Sequence, residues 1–251
     1  MPNPSATAQE PESPTAASLF TTTHWTVIFE AARPDSTGNR EAFGRLYRDY
    51  WYPLYAYVRR RGRNPHEAEE LTQDFFVSLL ERERLHGLER GGGRFRSFLL
   101  KALQNFLANE YDRLSARKRG GGCTVVPLEE VDAESRFLAD PSTLAPEVNF
   151  DRTWAFTVIE HAMRNLENEL QAAGKQKLIE QLYPHLQGDR NGRPYAEIAA
   201  ALGLSEGAVK VTIHRLRQRY GELLRAEVAR TVGDETDIAD ELRHLIEIVS
   251  T

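Results

Sequence analysis

The stretch from residue 195 to residue 220, YAEIAAALGLSEGAVKVTIHRLRQRY, constrains the fold more than any other part of the 251-residue chain. It predicts two helices joined by a tight turn. Gly203 stands where the first helix would end, because glycine readily adopts the left-handed conformation that closes a helix. Ser205 is a favourable N-cap for the second helix. The apolar stripe of that helix recurs at i, i+4, i+7 and i+11 and consists of Val209, Ile213, Leu216 and Tyr220.

The opposite face of the second helix carries cations and hydrogen-bonding groups. At about 100° per residue, it comprises Lys210, Val211, His214, Arg215 and Gln218, flanked by Arg217 and Arg219. A helix-turn-helix protein needs one packed face and a second helix whose free face enters the major groove. The pattern therefore predicts DNA contact. The alternative is a helical hairpin with an ordinary solvated basic face.

Charge is segregated along the chain. The overall net charge is −5, which by itself does not indicate a nucleic-acid-binding protein. Residues 94–119 carry a net +5 and residues 190–230 a net +4, whereas 120–150 and 231–251 each carry −5. Two basic blocks, each followed by an acidic one, suggest two nucleic-acid contacts with acidic segments that mask or space them.

The remaining composition excludes several classes of protein. The single cysteine, Cys123, rules out an internal disulfide and a multi-cysteine zinc site. The sequence has no apolar run of about 18 residues that would span a membrane. Its N-terminus has no apolar core of a signal peptide. We therefore expect a cytoplasmic protein that makes no membrane contact.

Helical periodicity predicts an all-α chain with two small helical domains joined by a flexible acidic linker. Residues 1–18 are rich in Pro, Ser, Thr, Ala and Glu, and we expect them to be disordered. The first domain occupies 19–119, the linker 120–148, and the second domain, which ends in the helix-turn-helix, 149–230. Residues 231–251 form an acidic helical extension.

One helix of the first domain has a clear start signal and a polar outer face. Asn64 can cap it, Pro65 suits its first turn, and Glu67 stands where a capping box places its acid. The helix is predicted to run to about residue 83. Its outer face carries Glu70, Gln73, Asp74 and Val77.

These segments, in this order, resemble bacterial RNA polymerase sigma factors of the extracytoplasmic-function (ECF) type, which belong to the sigma-70 superfamily. The first block of resemblance comprises AFGRLYRDYWYPLYAYVRR, EAEELTQDFFVSLLER and RFRSFLLKALQNFLANEYDR, and the second is PYAEIAAALGLSEGAVKVTIHRLRQRY. Together they cover about residues 41–230. The resemblance implies a region 2-like and a region 4-like domain. It also implies a protein that binds core RNA polymerase and directs transcription initiation at specific promoters.

The resemblance assigns two roles to the first domain. Polymerase docking falls to the helix that begins at Pro65, through Glu67, Glu70, Gln73 and Asp74, although a solvated charged face is the alternative. The next helix and its preceding loop would open the minus-ten element and hold an unstacked base, with candidates Phe95, Phe98, Asn105, Asn109 and Arg113. Aromatic and amide groups beside cations can trap a melted strand. Phe95, Phe98 and Phe106 could equally belong to the core.

The second domain would read the minus-35 element. The resemblance implies DNA contacts by Ser205, Lys210, Val211, His214, Arg215, Arg217 and Gln218. Arginine pairs well with guanine, glutamine with adenine, and a valine methyl with the thymine methyl. Arg217 and Arg219 are better placed for phosphates, which position without specifying. Many relatives have a small hydroxyl residue in place of Val211 and an arginine in place of Thr212, so the preferred hexamer is expected to differ.

Two segments extend the minimal two-domain plan, and both suggest regulation. The N-terminal segment 21–25 and the helix at 237–249 are similar to a subgroup encoded near Ser/Thr kinases. The resemblance implies that a regulatory partner, if there is one, is an anti-sigma factor or such a kinase. One hypothesis is that the acidic C-terminal helix shields the basic face of the second domain. Another is phosphorylation of Thr72. It is the weaker one, because a helical wheel places Thr72 nearer the buried side.

Other functional classes explain less of the chain. A helix-turn-helix regulator that acts without polymerase leaves the first domain without a role. An adaptor that binds only protein leaves the basic helix faces unexplained. His66 and Glu67 resemble the start of a zinc-protease motif, but Glu70 occupies the position of the second histidine. We therefore expect no enzyme, no catalytic residue, no metal and no cofactor.

Overall fold

The computed structural model describes Trp25 and residues 37–80, 93–116, 131–140, 143–186 and 193–250. Within these ranges the chain is helical, which confirms the predicted all-α class, and one isolated antiparallel bridge joins Arg94 to Val232. The predictions for the N-terminal 18 residues and for Cys123 lie outside the described residues.

Nine α-helices and one short 3₁₀ helix (Glu235–Asp237) lie within the described ranges. The α-helices, in chain order, are α1 (Thr37–Arg60), α2 (Pro65–Leu80), α3 (Phe95–Ala116), α4 (Val131–Ala139), α5 (Pro146–Ala172), α6 (Gln176–Leu186), α7 (Tyr195–Leu202), α8 (Glu206–Ala229) and α9 (Ile238–Val249).

An aromatic core holds α1, α2 and α3 together. Tyr50 of α1, Phe75 of α2 and Phe95 of α3 are each at most 1% exposed. The ring of Phe95 lies edge-on to that of Tyr50, with centroids 5.4 Å apart, and Phe75 contacts Phe106 at 5.7 Å. Each of these rings belongs to an apolar stripe of its helix, so the three helices pack together along their apolar faces.

Helix α5 contributes to two hydrophobic cores. Phe150 and Trp154 in its first half pack into the aromatic core, whereas Leu166 and Leu170 in its second half pack with the helix-turn-helix. Helix α8 also contributes to both cores, because Val228 near its end packs into the aromatic core. The predicted domain boundary at residue 148 therefore does not separate the two cores, which share two long helices.

The predicted linker is partly ordered. Helix α4 lies within it and is fastened to α1, where Glu134 accepts hydrogen bonds from the Tyr55 hydroxyl at 2.5 Å and from Arg59 Nη2 at 2.6 Å. Asp140 pairs with Arg60 at 2.9 Å. The structure thus differs from the expected flexible linker along this stretch. Ion pairs to a distant helix order it, and a periodicity of apolar residues cannot reveal such pairs.

The C-terminal extension is helical, as predicted, but it does not cover the recognition face. Helix α9 packs on α5 and α8, and its Leu245 is buried in the first core. Its buried Glu241 pairs with Arg94 at 2.8 Å and with Arg96 at 2.6 Å. The hypothesis that this helix shields the basic face of the second domain is therefore wrong. Its Glu241 pairs instead with two arginines of the first basic block.

Candidate nucleic-acid and partner interfaces

The turn between α7 and α8 has the predicted geometry. Gly203 closes α7 at φ 67°, in the left-handed region that glycine adopts without strain. The amide of Leu204 donates to the carbonyl of Ala199 at 2.9 Å. Ser205 Oγ accepts a hydrogen bond from the amide of Ala208 at 3.2 Å, which caps α8. The turn therefore fixes how α8 projects from the domain.

The stripe and the free face of α8 are divided as predicted. Val209 and Ile213 are buried, at 0% and 3% exposure, whereas Val211 is 50% exposed. The other exposed side chains of the predicted recognition face are Lys210, His214, Arg215 and Gln218. Within the described residues, His214, Arg215 and Gln218 form no hydrogen bond or ion pair. An unpaired guanidinium and amide on one free helix face can reach base edges in a major groove.

Three residues at the edge of this face have contacts inside the protein. The Ser205 hydroxyl is used by the helix cap. Arg217 Nη2 donates to the carbonyl of His185 at 2.8 Å, near the end of α6. Arg219 lies between Glu169 and Glu222, with closest contacts of 2.7 Å to each, and these carboxylates raise the pKa of its guanidinium. The structure therefore commits Arg219 to ion pairs, so it does not support the predicted phosphate contact.

The two phenylalanines predicted to hold an unstacked base belong to the core or its edge. Phe95 is 0% exposed and Phe98 is half-buried. Trp25 covers both, with ring centroids 5.2 Å and 4.9 Å away respectively. The core interpretation thus applies to Phe95 and also to Phe106, which is 4% exposed. An enclosed ring cannot stack on a base. The structure therefore corrects the prediction that Phe95 contacts the minus-ten element.

The polar candidates on α3 are better placed. Asn105 and Asn109 are exposed, four residues apart on one helix face. Arg113 lies in the same helix, but its side chain is outside the described part of the structure. Lys101 is exposed four residues before Asn105 and extends the same stripe. Lys101 is not among the residues predicted from the sequence, although its i−4 spacing from Asn105 is the signal that identifies it.

The outer face of α2 is polar and accessible. The side chain of Glu70 is 64% exposed and lies 3.6 Å from His66 Nε2. Asp74 is exposed and Gln73 is partly exposed. Val77, seven residues after Glu70, is 42% exposed and belongs to the same face. Carboxylates around an exposed apolar residue suit a basic partner helix.

At the N-terminus of α2, Glu67 has a role other than polymerase docking. Its carboxylate accepts a hydrogen bond from the Asn64 amide at 3.2 Å, and Asn64 Oδ1 accepts one from the Glu67 amide at 2.9 Å. This reciprocal pair is the predicted capping box. Thr72, in contrast, is 0% exposed, and its hydroxyl donates to the carbonyl of Ala68 at 2.6 Å. A buried, bonded hydroxyl is inaccessible to a kinase, which contradicts the Thr72 hypothesis.

Two further site types are not found in the described part of the chain. The described residues contain no group of three or more His, Cys, Asp or Glu side chains placed to hold a metal ion. Among the same residues, no helix combines the length and the apolar composition needed to cross a membrane.

Both blocks of the chain match established families. Residues 46–117 match sigma-70 region 2, and residues 189–219 match sigma-70 region 4. The chain belongs to the sigma-70 family. In family terms, α2 and α3 lie in region 2 with most of α1, while α7 and the first half of α8 lie in region 4. Helix α9 lies outside both matches.

The chain is similar to ECF-type sigma factors. The chain is 24% identical over 197 residues to the ECF RNA polymerase sigma factor BldN of Streptomyces coelicolor. It is 26% identical over 200 residues to the ECF RNA polymerase sigma factor SigE of Mycolicibacterium smegmatis. Each alignment covers 78% of this chain, and the chain spans about two thirds of the relatives' length, 66% and 68% respectively. No solved structure is significantly similar to the chain.

Proposed function

We propose that this protein is a sigma factor that binds core RNA polymerase and directs promoter-specific transcription initiation. One observation carries the proposal. A single chain presents an exposed acidic face on α2 in region 2 and an exposed hydrogen-bonding face on α8 in region 4. A promoter-reading subunit needs both surfaces, one for the enzyme and one for the DNA.

The proposed mechanism has three steps. Glu70, Gln73 and Asp74 on α2 dock on core polymerase, with Glu67 supporting the start of that helix. Region 4 inserts α8 into the minus-35 duplex, where Arg215 and Gln218 contact base edges and Arg217 lies beside the backbone. The polar stripe of α3 then holds the melted minus-ten strand through Asn105 and Asn109.

The chain contributes binding and no catalytic group in this mechanism, because the polymerase makes the RNA. We propose that it acts in the cytoplasm, where the polymerase and the chromosome meet. Part of its DNA affinity should come from phosphate contacts and should therefore fall steeply with salt.

Control by an anti-sigma factor or by a Ser/Thr kinase is also proposed. The burial of Thr72 removes the internal acceptor considered above. Thr21, Thr22 and Thr23 are the candidate acceptors that the sequence offers, and they lie outside the described residues. Incubation with a cognate kinase, followed by mass spectrometry, would locate a phosphate. Phosphate on Thr72 of the folded protein would contradict this assignment.

Polymerase capture separates the proposal from its main alternative, a helix-turn-helix regulator that acts without polymerase. The tagged wild-type chain should retain core RNA polymerase, and Asp74→Lys should lose it because a cation replaces a docking carboxylate. Glu180→Lys is the matched control, since Glu180 is an exposed acid on α6. Equal retention by all three proteins, or by none of them, would overturn the docking assignment.

A further inference from the structure

A cavity of about 530 Å³ opens between α1, α5 and α8, away from both proposed interfaces. None of the residues predicted to touch polymerase or DNA lines it. Its most distinctive feature is five arginines, which come from α1, α4, α5 and the residue that follows α8. They are Arg45, Arg48, Arg136, Arg164 and Arg230.

The positive charge of the cavity is only partly neutralised. Two of its arginines are paired, Arg136 with Glu160 at 3.3 Å and Arg230 with Glu227 at 3.2 Å. The other three arginines are exposed and form no ion pair within the described part of the chain: Arg45, Arg48 and Arg164. Three unpaired guanidiniums around one concavity make it an anion site.

The remaining carboxylate does not cancel this charge. Asp49 lies at the cavity wall, 3.5 Å from His161. Burial raises the pKa of Asp49 to about 7, so near neutrality this carboxyl carries only part of a negative charge. Burial also lowers the pKa of His161 to about 4, helped by Arg164 and other nearby arginines. The positive charge of the three arginines without ion pairs therefore dominates the cavity wall.

The same cavity has an aromatic side. Trp51 and Tyr52 of α1 line it. The indole of Trp51 is held rigid by stacking on Tyr55, with centroids 5.0 Å apart and planes 10° from parallel. Its Nε1 is buried with no acceptor among the described residues. The aromatic side of the cavity is therefore built from a fixed indole and a neighbouring phenol ring.

We propose that this cavity binds a nucleoside polyphosphate. Arginine forks match phosphate oxygens in a bidentate manner, and aromatic rings match the flat base. The volume lies within the roughly 300–1,000 Å³ of small-molecule sites. An extended DNA backbone would need a stripe of cations along a surface, whereas these cations surround a concavity. The ligand would join α1 of region 2 to α5 and α8, which also build the region 4 core.

The test is direct binding to the full chain, without polymerase, so its outcome is independent of the proposed function. Calorimetry with ATP and GTP should show saturable binding, and pyrophosphate alone should bind more weakly because it lacks the base. Arg48→Ala and Arg164→Ala should each weaken nucleotide binding by about tenfold or more. Arg225→Ala, an exposed arginine of α8 outside the cavity, is the matched control and should bind as wild type does.

Two further variants keep the proposal falsifiable. Arg48→Lys retains the charge but loses the fork, and it should bind less tightly than wild type while folding normally by circular dichroism. Trp51→Phe should weaken nucleotide binding and leave pyrophosphate binding unchanged. Equal affinity for pyrophosphate and nucleotides would overturn the nucleotide assignment. No binding of any probe, equal loss in Arg225→Ala, or loss of duplex DNA binding alone in the cavity variants would overturn the site itself.

Discussion

Arg96 and Glu241 form a buried ion pair across 145 residues of sequence. Arg96 Nε lies 2.6 Å from Glu241 Oε1, and Nη2 lies 3.3 Å from Oε2. The two side chains are 4% and 0% exposed. Arg96 also bonds Asp151 and lies 5.0 Å from the ring of Trp154. The C-terminal helix is thereby fastened to the start of α3, the helix proposed to hold melted DNA.

Loss of this pair should destabilise the fold. Glu241→Ala leaves the buried Arg96 with Asp151 as its one remaining carboxylate, and we expect a loss of about 3 kcal/mol in the free energy of unfolding. Asp240→Ala, which removes an exposed pair with Arg243, should cost less than about 1 kcal/mol. Urea unfolding of both variants measures the difference. Equal effects would show that the buried pair has no special role in stability.

Arg215 should contribute to promoter reading. Arg215→Ala removes an exposed, unpaired guanidinium from the recognition face, and promoter affinity of the holoenzyme should fall by about tenfold or more. Arg225→Ala removes the same group from the same helix, ten residues further on, and should leave affinity nearly unchanged. Filter binding to a minus-35 duplex compares them. Matched losses in the two variants would indicate a general charge effect.

Substitutions at Phe95 and Asn105 should distinguish a residue of α3 that stabilises the fold from one that contacts DNA. Phe95→Ala empties part of the aromatic core and should cost about 3–5 kcal/mol in unfolding free energy. Asn105→Ala is an exposed change and should alter stability by no more than about 0.5 kcal/mol, yet it should reduce opening of the minus-ten element. Permanganate reactivity of unpaired thymines reports opening. Normal opening by Asn105→Ala would remove that residue from the mechanism.

The Asp49–His161 pair should make two opposite contributions to acid stability. Below the usual His pKa of 6.5, unfolded His161 binds a proton that folded His161 refuses until about pH 4, so acidification removes stability. Folded Asp49 keeps its proton up to about pH 7, whereas the unfolded carboxyl loses it above 3.8, so acidification adds stability over nearly the same range. The charged groups that face the pair are Arg45, Arg48, Arg164, Glu227 and Arg230.

Single variants should expose each contribution. Asp49→Asn removes the contribution that adds stability on acidification. Its unfolding free energy should therefore fall more steeply than that of wild type between pH 6.5 and pH 4. His161→Gln removes the opposite contribution, so its unfolding free energy should fall less steeply than that of wild type through the same range. Denaturant unfolding across these pH values measures both. Identical pH dependence in all three proteins would contradict the assignment of these pKa values.

Much of the architecture can be predicted from local sequence. Gly203 and Ser205 set the turn of region 4 through backbone geometry and a side-chain cap, and both effects act within four residues. The capping box of Asn64 and Glu67 starts α2 for the same reason. Where a feature depends on neighbours along the chain, the sequence is sufficient.

The remaining features depend on contacts between distant segments. Charge counts along the chain predict that the acidic C-terminal helix contacts the second basic block. In the structure, Glu241 of that helix pairs with Arg94 and Arg96 of the first basic block. Periodicity shows that α5 is amphipathic but does not reveal that its two halves serve different cores. The arginines of the cavity come from α1, α4, α5 and the residue after α8, so no single window of sequence brings them together.

The most direct test of the central claim is run-off transcription by core RNA polymerase on genomic promoter fragments, with and without this protein. The account predicts promoter-dependent transcripts only when the protein is added. They should be lost with Asp74→Lys and retained with Glu180→Lys. If no fragment yields a protein-dependent transcript while the protein still binds duplex DNA, the chain is a regulator that acts without polymerase and the account is wrong.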